Sequence, residues 1–297
     1  MNGMLTIYKE KGYTSMDVVA KLRGILRERK IGHTGTLDPD ATGVLPVCIG
    51  NATKLCDMLT DRDKEYVAVM RLGVSTDTQD MSGKVLQERE VTCDASQVRD
   101  CILSFVGIYH QVPPMYSALK VQGQKLCDLA RKGIEVERKS RPVEIYRIDI
   151  QKIALPEIEL RVLCSKGTYI RTLCADIGEK LGCGGAMESL VRTYAAGFEL
   201  KDALKLDEVE KLRDAGEVEN RLIPVEAVFA ELSMAQVKPE YEKLLQNGNK
   251  LKLNQVETNG KRLAQNQQIR MYHADQRFCG VFIMDGEELK PFKIFEL

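Results

Sequence analysis

The stretch DKEYVAVMRLG, residues 63–73, has the two-residue period of a half-buried strand, and nothing else in the chain constrains its fold so strongly. Successive side chains of a strand point to opposite faces, so Tyr66, Ala68, Met70 and Leu72 share one side and need a packed layer beneath them. Two more long strands are expected at roughly 142–154 and 158–165, joined by the turn LPE, with Ile158, Leu160, Val162 and Cys164 alternating in the second. MLTIY near the N-terminus and residues 44–49 read as further strands, and residues 52–59 as a short helix.

Helical spacing surrounds these strands. A T-x-x-D cap at Thr14–Asp17 opens a helix over MDVVAKLRGILRERK with Val18, Leu22, Ile25 and Leu26 on one stripe. Residues 94–106 present Val98, Cys101, Ile102 and Phe105 on one face. KLCDLARKG reads as a helix closed by Gly133. Ile170, Leu173, Ile177 and Leu181 have helical spacing ended by Gly182. GGAMESLVRTYAAGFEL is expected to begin as a helix and turn into a strand, with helical patterns continuing to about residue 230. After a boundary near 233–240 the pattern changes to short strands with NG and DG turns, the signature of a small all-β module.

A chain of 297 residues has room for one large domain and a smaller one. Its formal net charge of zero argues against a histone-like polycation but leaves room for a local basic face. Two candidates are Lys21, Arg23, Arg27, Arg29 and Lys30 against the single acid Glu28, and the cluster Lys120, Lys125, Arg131, Lys132, Arg138 and Lys139. The nine cysteines have no C-x-x-C spacing, and buried free thiols in a reducing cytosol are expected. The three histidines, His33, His110 and His273, lie far apart, so no metal site is expected. No secretory signal opens the chain and no apolar run approaches roughly 18 residues, so a cytoplasmic protein is expected.

Three segments could carry chemistry. HTGTLDPDATGVLP, residues 33–46, places Asp38 before Pro39, which biases its backbone to an extended form. By itself the loop is either an Asp/Pro/Gly turn with threonine back-bonds or a scaffold for a reacting acid. It lacks the string of a phosphate-binding P-loop. CSKGTYIRTL, residues 164–173, offers Arg171 as a surface cation or as a fixed guanidinium that would orient a carboxylate and lower its pKa. Tyr66 is a packing residue or a ring that stacks on a base and handles a proton.

Together, GHTGTLDPDATGVLPVCIGNATKL, DKEYVAVMRLGVSTDTQD, PPMYSALKVQGQKLCDLARKGIEV and CSKGTYIRTLCADIGEKLGCGG resemble, in order and spacing, the motifs of the bacterial TruB family of tRNA pseudouridine-55 synthases. The resemblance is dense over residues 4–200 and implies an α+β chain. A pseudouridine-synthase-like catalytic domain, 1–232, would hold a mixed, largely antiparallel central sheet flanked by helices, and a PUA-like all-β RNA-binding module would follow at 233–297. It implies isomerisation of uridine 55 in the tRNA T-loop after base flipping, with no metal and no organic cofactor. Asp38 matches the catalytic aspartate of the family, Tyr66 its active-site tyrosine and Arg171 the arginine paired with the aspartate. His33 matches the histidine that fills the space left by flipped nucleotides, and Tyr169 and Leu190 match residues lining the uridine pocket. Lys9 matches the basic residue of the first motif, where Glu10 stands in place of the usual proline. Asp40 falls where the family varies and carries no assigned chemistry. The implied partner is tRNA, through its T-arm and, by way of the C-terminal module, its acceptor stem, with no membrane and no obligate protein partner. Three rivals stay open: an RNA-binding or tRNA-folding protein acting without catalysis, a nucleoside hydrolase or glycosylase releasing free uracil, and a structural assembly protein.

Overall fold

A computed structural model describes residues 1–121, 123–260 and 262–295. In chain order the first strands are β1 (Gly3–Lys9), β2 (Ile31–His33), β3 (Thr42–Ile49), β4 (Lys64–Leu72), β5 (Val74–Thr76), β6 (Val85–Glu88) and β7 (Gly107–Gln111). After them come β8 (Lys120–Val121), β9 (Gln124–Lys125), β10 (Arg141–Ala154), β11 (Glu157–Cys164), β12 (Gly185–Ala195) and β13 (Phe198–Glu199). The helices threaded among them are α1 (Ser15–Leu26), α2 (Cys56–Thr60), α3 (Ala95–Leu103), α4 (Leu126–Arg131), α5 (Ile170–Lys180) and α6 (Leu206–Asp214).

The main sheet runs β1-β3-β12-β4-β11-β10-β7, with β2 on β3 and β13 on β12. It is antiparallel except where β12 meets β3 over two pairs, Val191 with Thr42 and Arg192 with Gly43. The expected mixed, largely antiparallel sheet is thus present. β4 lies at its centre because its alternation supplies an apolar row, Tyr66, Ala68, Met70 and Leu72, that packs under α3 and α5 with Val98, Ile102, Leu173 and Ile177. Val18, Val19, Leu22 and Leu26 of α1 bury against β1 and β3. Thr14 and Asp17 close the expected capping box, but α1 stops at Leu26, where Arg27 takes a left-handed backbone with φ 51°. Arg29 and Lys30 therefore lie on the following loop and do not extend a helical face.

One element departs outright from the sequence pattern. The segment expected to start as a helix at Gly184–Gly185 is instead strand β12, which lies between β3 and β4, followed by a turn and β13. Its register against β4 slips between Met187 and Ser189 and again between Arg192 and Tyr194. Each slip adds one residue, so the inward set Met187, Leu190 is spaced by three and imitates a helix.

A second sheet contains β14 (Ser233–Val237), β15 (Leu251–Lys252), β16 (Val256–Glu257), β17 (Gln268–Tyr272), β18 (Phe278–Asp285) and β19 (Glu288–Ile294), with α7 (Glu242–Gln246) between its first two strands. Its order, β15-β19-β18-β17-β14-β16, forms a nearly closed, barrel-like sheet consistent with a PUA-like module. It has its own core, including Ile269, Met271, Phe282 and Leu289. A further cluster crosses to the first sheet: Phe295 and Val281 pack with Phe229, Phe198, Val44, Leu55 and Leu59. Asn51 Nδ2 and Lys54 Nζ donate to the carbonyls of Phe295 and Ile294 at 3.2 and 2.8 Å, tying the module to the segment after β3. Six of the nine cysteines are buried. No helix among the described residues is long and apolar enough to cross a membrane.

Candidate active site

The loop between β2 and β3 is held from both sides of Asp38. Leu37 N donates to Ser15 Oγ at 2.9 Å, placing the first turn of α1 under the loop. Pro39 O accepts from Gly12 N at 2.9 Å and from Lys9 Nζ at 3.0 Å. Gly43, at φ 107°, lets β3 pass against β12: a Cβ there would stand 2.2 Å from Arg192 O. These bonds, not the loop threonines, hold Asp38 in place. Thr36 is exposed, and Thr34 Oγ1 is buried without a hydrogen-bond partner.

Arg171 comes from the first turn of α5 and is 5% exposed. Its Nε lies 2.9 Å from Asp38 Oδ2 and its Nη2 donates to Asp38 Oδ1 at 3.3 Å, a side-on fork. The remaining donors are also occupied: Nη1 with Thr78 O at 2.9 Å and Asp80 Oδ2 at 3.4 Å, Nη2 with Tyr116 O at 2.8 Å. Asp80 is itself fixed, accepting from Thr78 Oγ1, Ser82 N and Ser82 Oγ. Arg171 lowers the Asp38 pKa, as expected, but does not set its net direction. Burial pushes the Asp38 carboxyl above its ordinary value, and Arg171 and Lys9 counter that rise only in part while Asp80 adds to it. Asp38 is therefore more basic than an exposed aspartate.

Asp38, Tyr66, Tyr169, Arg171 and Leu190 line one cavity of about 320 Å³, between the ends of β4, β12 and α5. Asp38, Arg171, Leu190 and Tyr116 also border an adjoining groove of about 780 Å³ that reaches Lys125 and Arg131. Both volumes fall in the range of small-ligand sites, roughly 300–1,000 Å³. Tyr169 is set by a two-way bond between its backbone and the Gln111 side chain, at 2.8 and 2.9 Å. Burial raises the Tyr66 and Tyr169 hydroxyl pKa values.

Two expected substrate-binding residues stand elsewhere. Lys9 does not line the cavity: it is fully buried and its ammonium donates to the carbonyls of Glu10, Tyr13 and Pro39. Burial lowers its pKa to about 8, and its place is beneath the Asp38 loop. His33 also lies outside both the cavity and the groove, with Nδ1 accepting from Gly35 N at 3.3 Å. Asp40 is exposed on the groove wall. Asp80, Tyr116 and Arg192 join the site without having stood out in the sequence. Asp80 and Tyr116 lay inside quoted motifs, but Arg192 sat in the segment taken for a helix, so its facing was not legible. Among the described residues no group of three or more His, Cys, Asp or Glu could hold a metal ion.

The mixed sheet flanked by helices, followed by a nearly closed all-β module, is the fold of the pseudouridine synthase class. Residues 23–170 match the N-terminal domain profile of TruB family pseudouridylate synthases, and residues 171–230 match the tRNA pseudouridylate synthase B C-terminal domain profile. The chain is 50% identical to the tRNA pseudouridine synthase B of Lachnoclostridium phytofermentans, covering 99% of this chain and 100% of that one. It is 42% identical to the tRNA pseudouridine synthase B of Clostridium tetani, covering 100% and 99%. The chain belongs to the TruB family. The same fold occurs in a Cbf5-Nop10-Gar1 complex, at a TM-score of 0.73 and 24% identity over 99% of this chain and 85% of that one. The two matched domains are not separate bodies here, since β12 of the second lies between β3 and β4 of the first.

Proposed function

We propose that this chain is a tRNA pseudouridine synthase that isomerises uridine 55 of the T-loop, with Asp38 as the reacting carboxylate. A single observation carries the residue assignment: Arg171 forks onto Asp38 at the rim of a cavity walled by Tyr66, Tyr169 and Leu190. The reaction breaks C1′–N1, turns the uracil and rejoins it through C5. The target nucleotide must first leave its stack, at a cost of a few kcal/mol. Asp38 then adds to the sugar or removes a sugar proton, and its burial-raised basicity serves either step. Arg171 fixes the direction of the carboxylate lone pairs. Leu190 and the ring of Tyr66 hold the detached base and exclude water, so that rejoining outruns hydrolysis. Tyr66 stacks on the uracil and assists loss of the C5 proton.

Residues 1–232 form the catalytic domain in this reading, and 233–297 an RNA-binding module reaching along the acceptor stem. Lys125 and Arg131 on the groove, with Lys21 and Arg23 of α1, supply phosphate contacts. Action on tRNA places the protein in the cytoplasm. The test is a T-arm stem-loop carrying C5-tritiated uridine at the target position. Wild type is expected to release tritium and leave pseudouridine in the digested RNA. Asp38→Asn should bind the RNA within about threefold of wild type yet lose at least ~10³-fold in rate. Tritium release by Asp38→Asn at the wild-type rate would remove the assignment of Asp38. RNA binding without any conversion by wild type would favour the non-catalytic alternative, and free uracil would favour a hydrolase.

A further inference from the structure

Arg192 is 1% exposed, borders the active-site cavity and enters no ion pair among the described residues. Its Nε donates to Val44 O at 2.7 Å and its Nη2 to Gly35 O at 3.1 Å. In the sheet it stands directly opposite Tyr66, and both residues line the cavity. Lys64, two residues before Tyr66, is also buried and borders the same cavity, with Nζ donating to the carbonyls of Thr60 and Arg62 and to no carboxylate. The two buried arginines of this cavity are thus treated very differently. Arg171 holds two carboxylates, whereas Arg192 holds none. An uncompensated buried guanidinium is costly, and burial does push the Arg192 pKa below its ordinary value.

We propose that Arg192, buried in the cavity wall opposite Tyr66, is a positioning residue that stabilises the negative charge that collects on the uracil when C1′–N1 breaks. This rests on the synthase reading above. The electron pair of C1′–N1 leaves on N1, and the resulting uracil anion shares its charge over O2 and O4. In the same step the Asp38 carboxylate loses its charge, either to a new bond with C1′ or to a sugar proton. Negative charge therefore moves from the group paired with Arg171 to a base in the cavity that Arg192 and Lys64 border. When C5 bonds to C1′, the Asp38–C1′ bond breaks, or the sugar proton returns from Asp38, so Asp38 regains its charge and the uracil becomes neutral. The C5 proton then leaves to solvent and N1 takes one up, so the base stays neutral. A buried cation without a counter-ion in the resting protein acquires one only while the bond is open, which favours the intermediate over the ground state.

A purely structural role is the competing account, because Arg192 also clamps β3 and the Asp38 loop onto β12. Leaving-group chemistry separates the two. Fluorine at C5 withdraws electron density and stabilises the uracil anion by itself, so a 5-fluorouridine substrate depends less on Arg192. Wild type, Arg192→Met and Arg192→Lys are compared under single turnover on T-arm stem-loops with uridine or 5-fluorouridine at the target position. Loss of the parent nucleoside is followed in digests, with RNA affinity and melting temperature measured alongside. Arg192→Met is expected to lose about 100-fold on uridine and about tenfold or less on 5-fluorouridine. Arg192→Lys, which keeps the charge, should recover part of the uridine rate. Equal losses on both substrates, or a uridine rate within about threefold of wild type, would overturn the proposal. If Arg192→Met does not fold, the ratio of the two substrates for Arg192→Lys decides, and a ratio equal to that of wild type overturns it. Silence of the wild type on uridine would instead remove the synthase reading itself.

Discussion

Replacing Arg171 tests the geometry of the site most directly. Its guanidinium makes five polar contacts: two to Asp38, one to Asp80 and two to the carbonyls of Thr78 and Tyr116. A lysine ammonium brings three donors and no planar fork, so Arg171→Lys cannot grip both Asp38 oxygens and still reach the other partners. Charge-assisted bonds contribute about 1.5–3 kcal/mol each. The Asp38 side chain is 40% exposed, so solvent screening holds the fork to the low end of that range. Losing the fork then costs about 2–3 kcal/mol of transition-state stabilisation, or about 30–150-fold in rate. Arg171→Met strands two carboxylates, which costs about 3–5 kcal/mol and more than ~10²-fold. The pH profile adds an independent reading. Burial raises the Asp38 pKa and Arg171 is the largest influence pulling it back. Without the guanidinium the pKa rises further, and activity that needs the carboxylate fails at a higher pH. Single-turnover tritium release across pH measures both effects. An Arg171→Lys rate equal to wild type, or an acid limb in Arg171→Met that stays put or moves down, would refute the reasoning.

Gly43→Ala drives a Cβ into the Arg192 backbone at 2.2 Å and should cost more than about 3 kcal/mol; a melting temperature within about 2 °C of wild type would contradict this. Lys9 titrates near pH 8 in the folded protein against 10.5 when unfolded. The unfolded chain therefore binds more protons between those values, and the stability of wild type relative to Lys9→Met rises with pH across that window. A difference in unfolding free energy that is flat or falling from pH 8 to 10 would count against the buried ammonium. Phe229→Ala opens the cluster that joins Phe278 and Phe295 to the first sheet, at a cost of about 3–5 kcal/mol. Calorimetry should show both sheets destabilised together, and an unchanged transition would mean that the module stands alone.

Much of this protein was legible from its residues. The alternation in 63–73 identifies the central strand β4 and its buried row, because a pleat repeats every two residues whatever surrounds it. The box at Thr14–Asp17 marks the start of α1, since a cap is a local hydrogen bond. Family motifs pointed to Asp38, Tyr66, Tyr169, Arg171 and Leu190, which the fold gathers into one cavity. Other features depended on partners that no local pattern reveals. β12 imitated a helix because two register slips against β4 break its alternation. Arg192 therefore stayed hidden, and a buried cation without a carboxylate can be recognised only when every neighbour is known. Lys9 carries a motif position, yet the fold turns it inward onto three carbonyls. The net basicity of Asp38 was not legible for the same reason. A facing arginine is a pairwise feature that motif spacing can suggest, whereas desolvation sums over everything packed around the carboxylate. The sequence by itself determined most of the strands, β12 excepted, the loop that carries Asp38, and the five candidates Asp38, Tyr66, Tyr169, Arg171 and Leu190 that meet in one cavity. Only the tertiary structure decided the environment of each charge, because burial is a property of the whole packed fold.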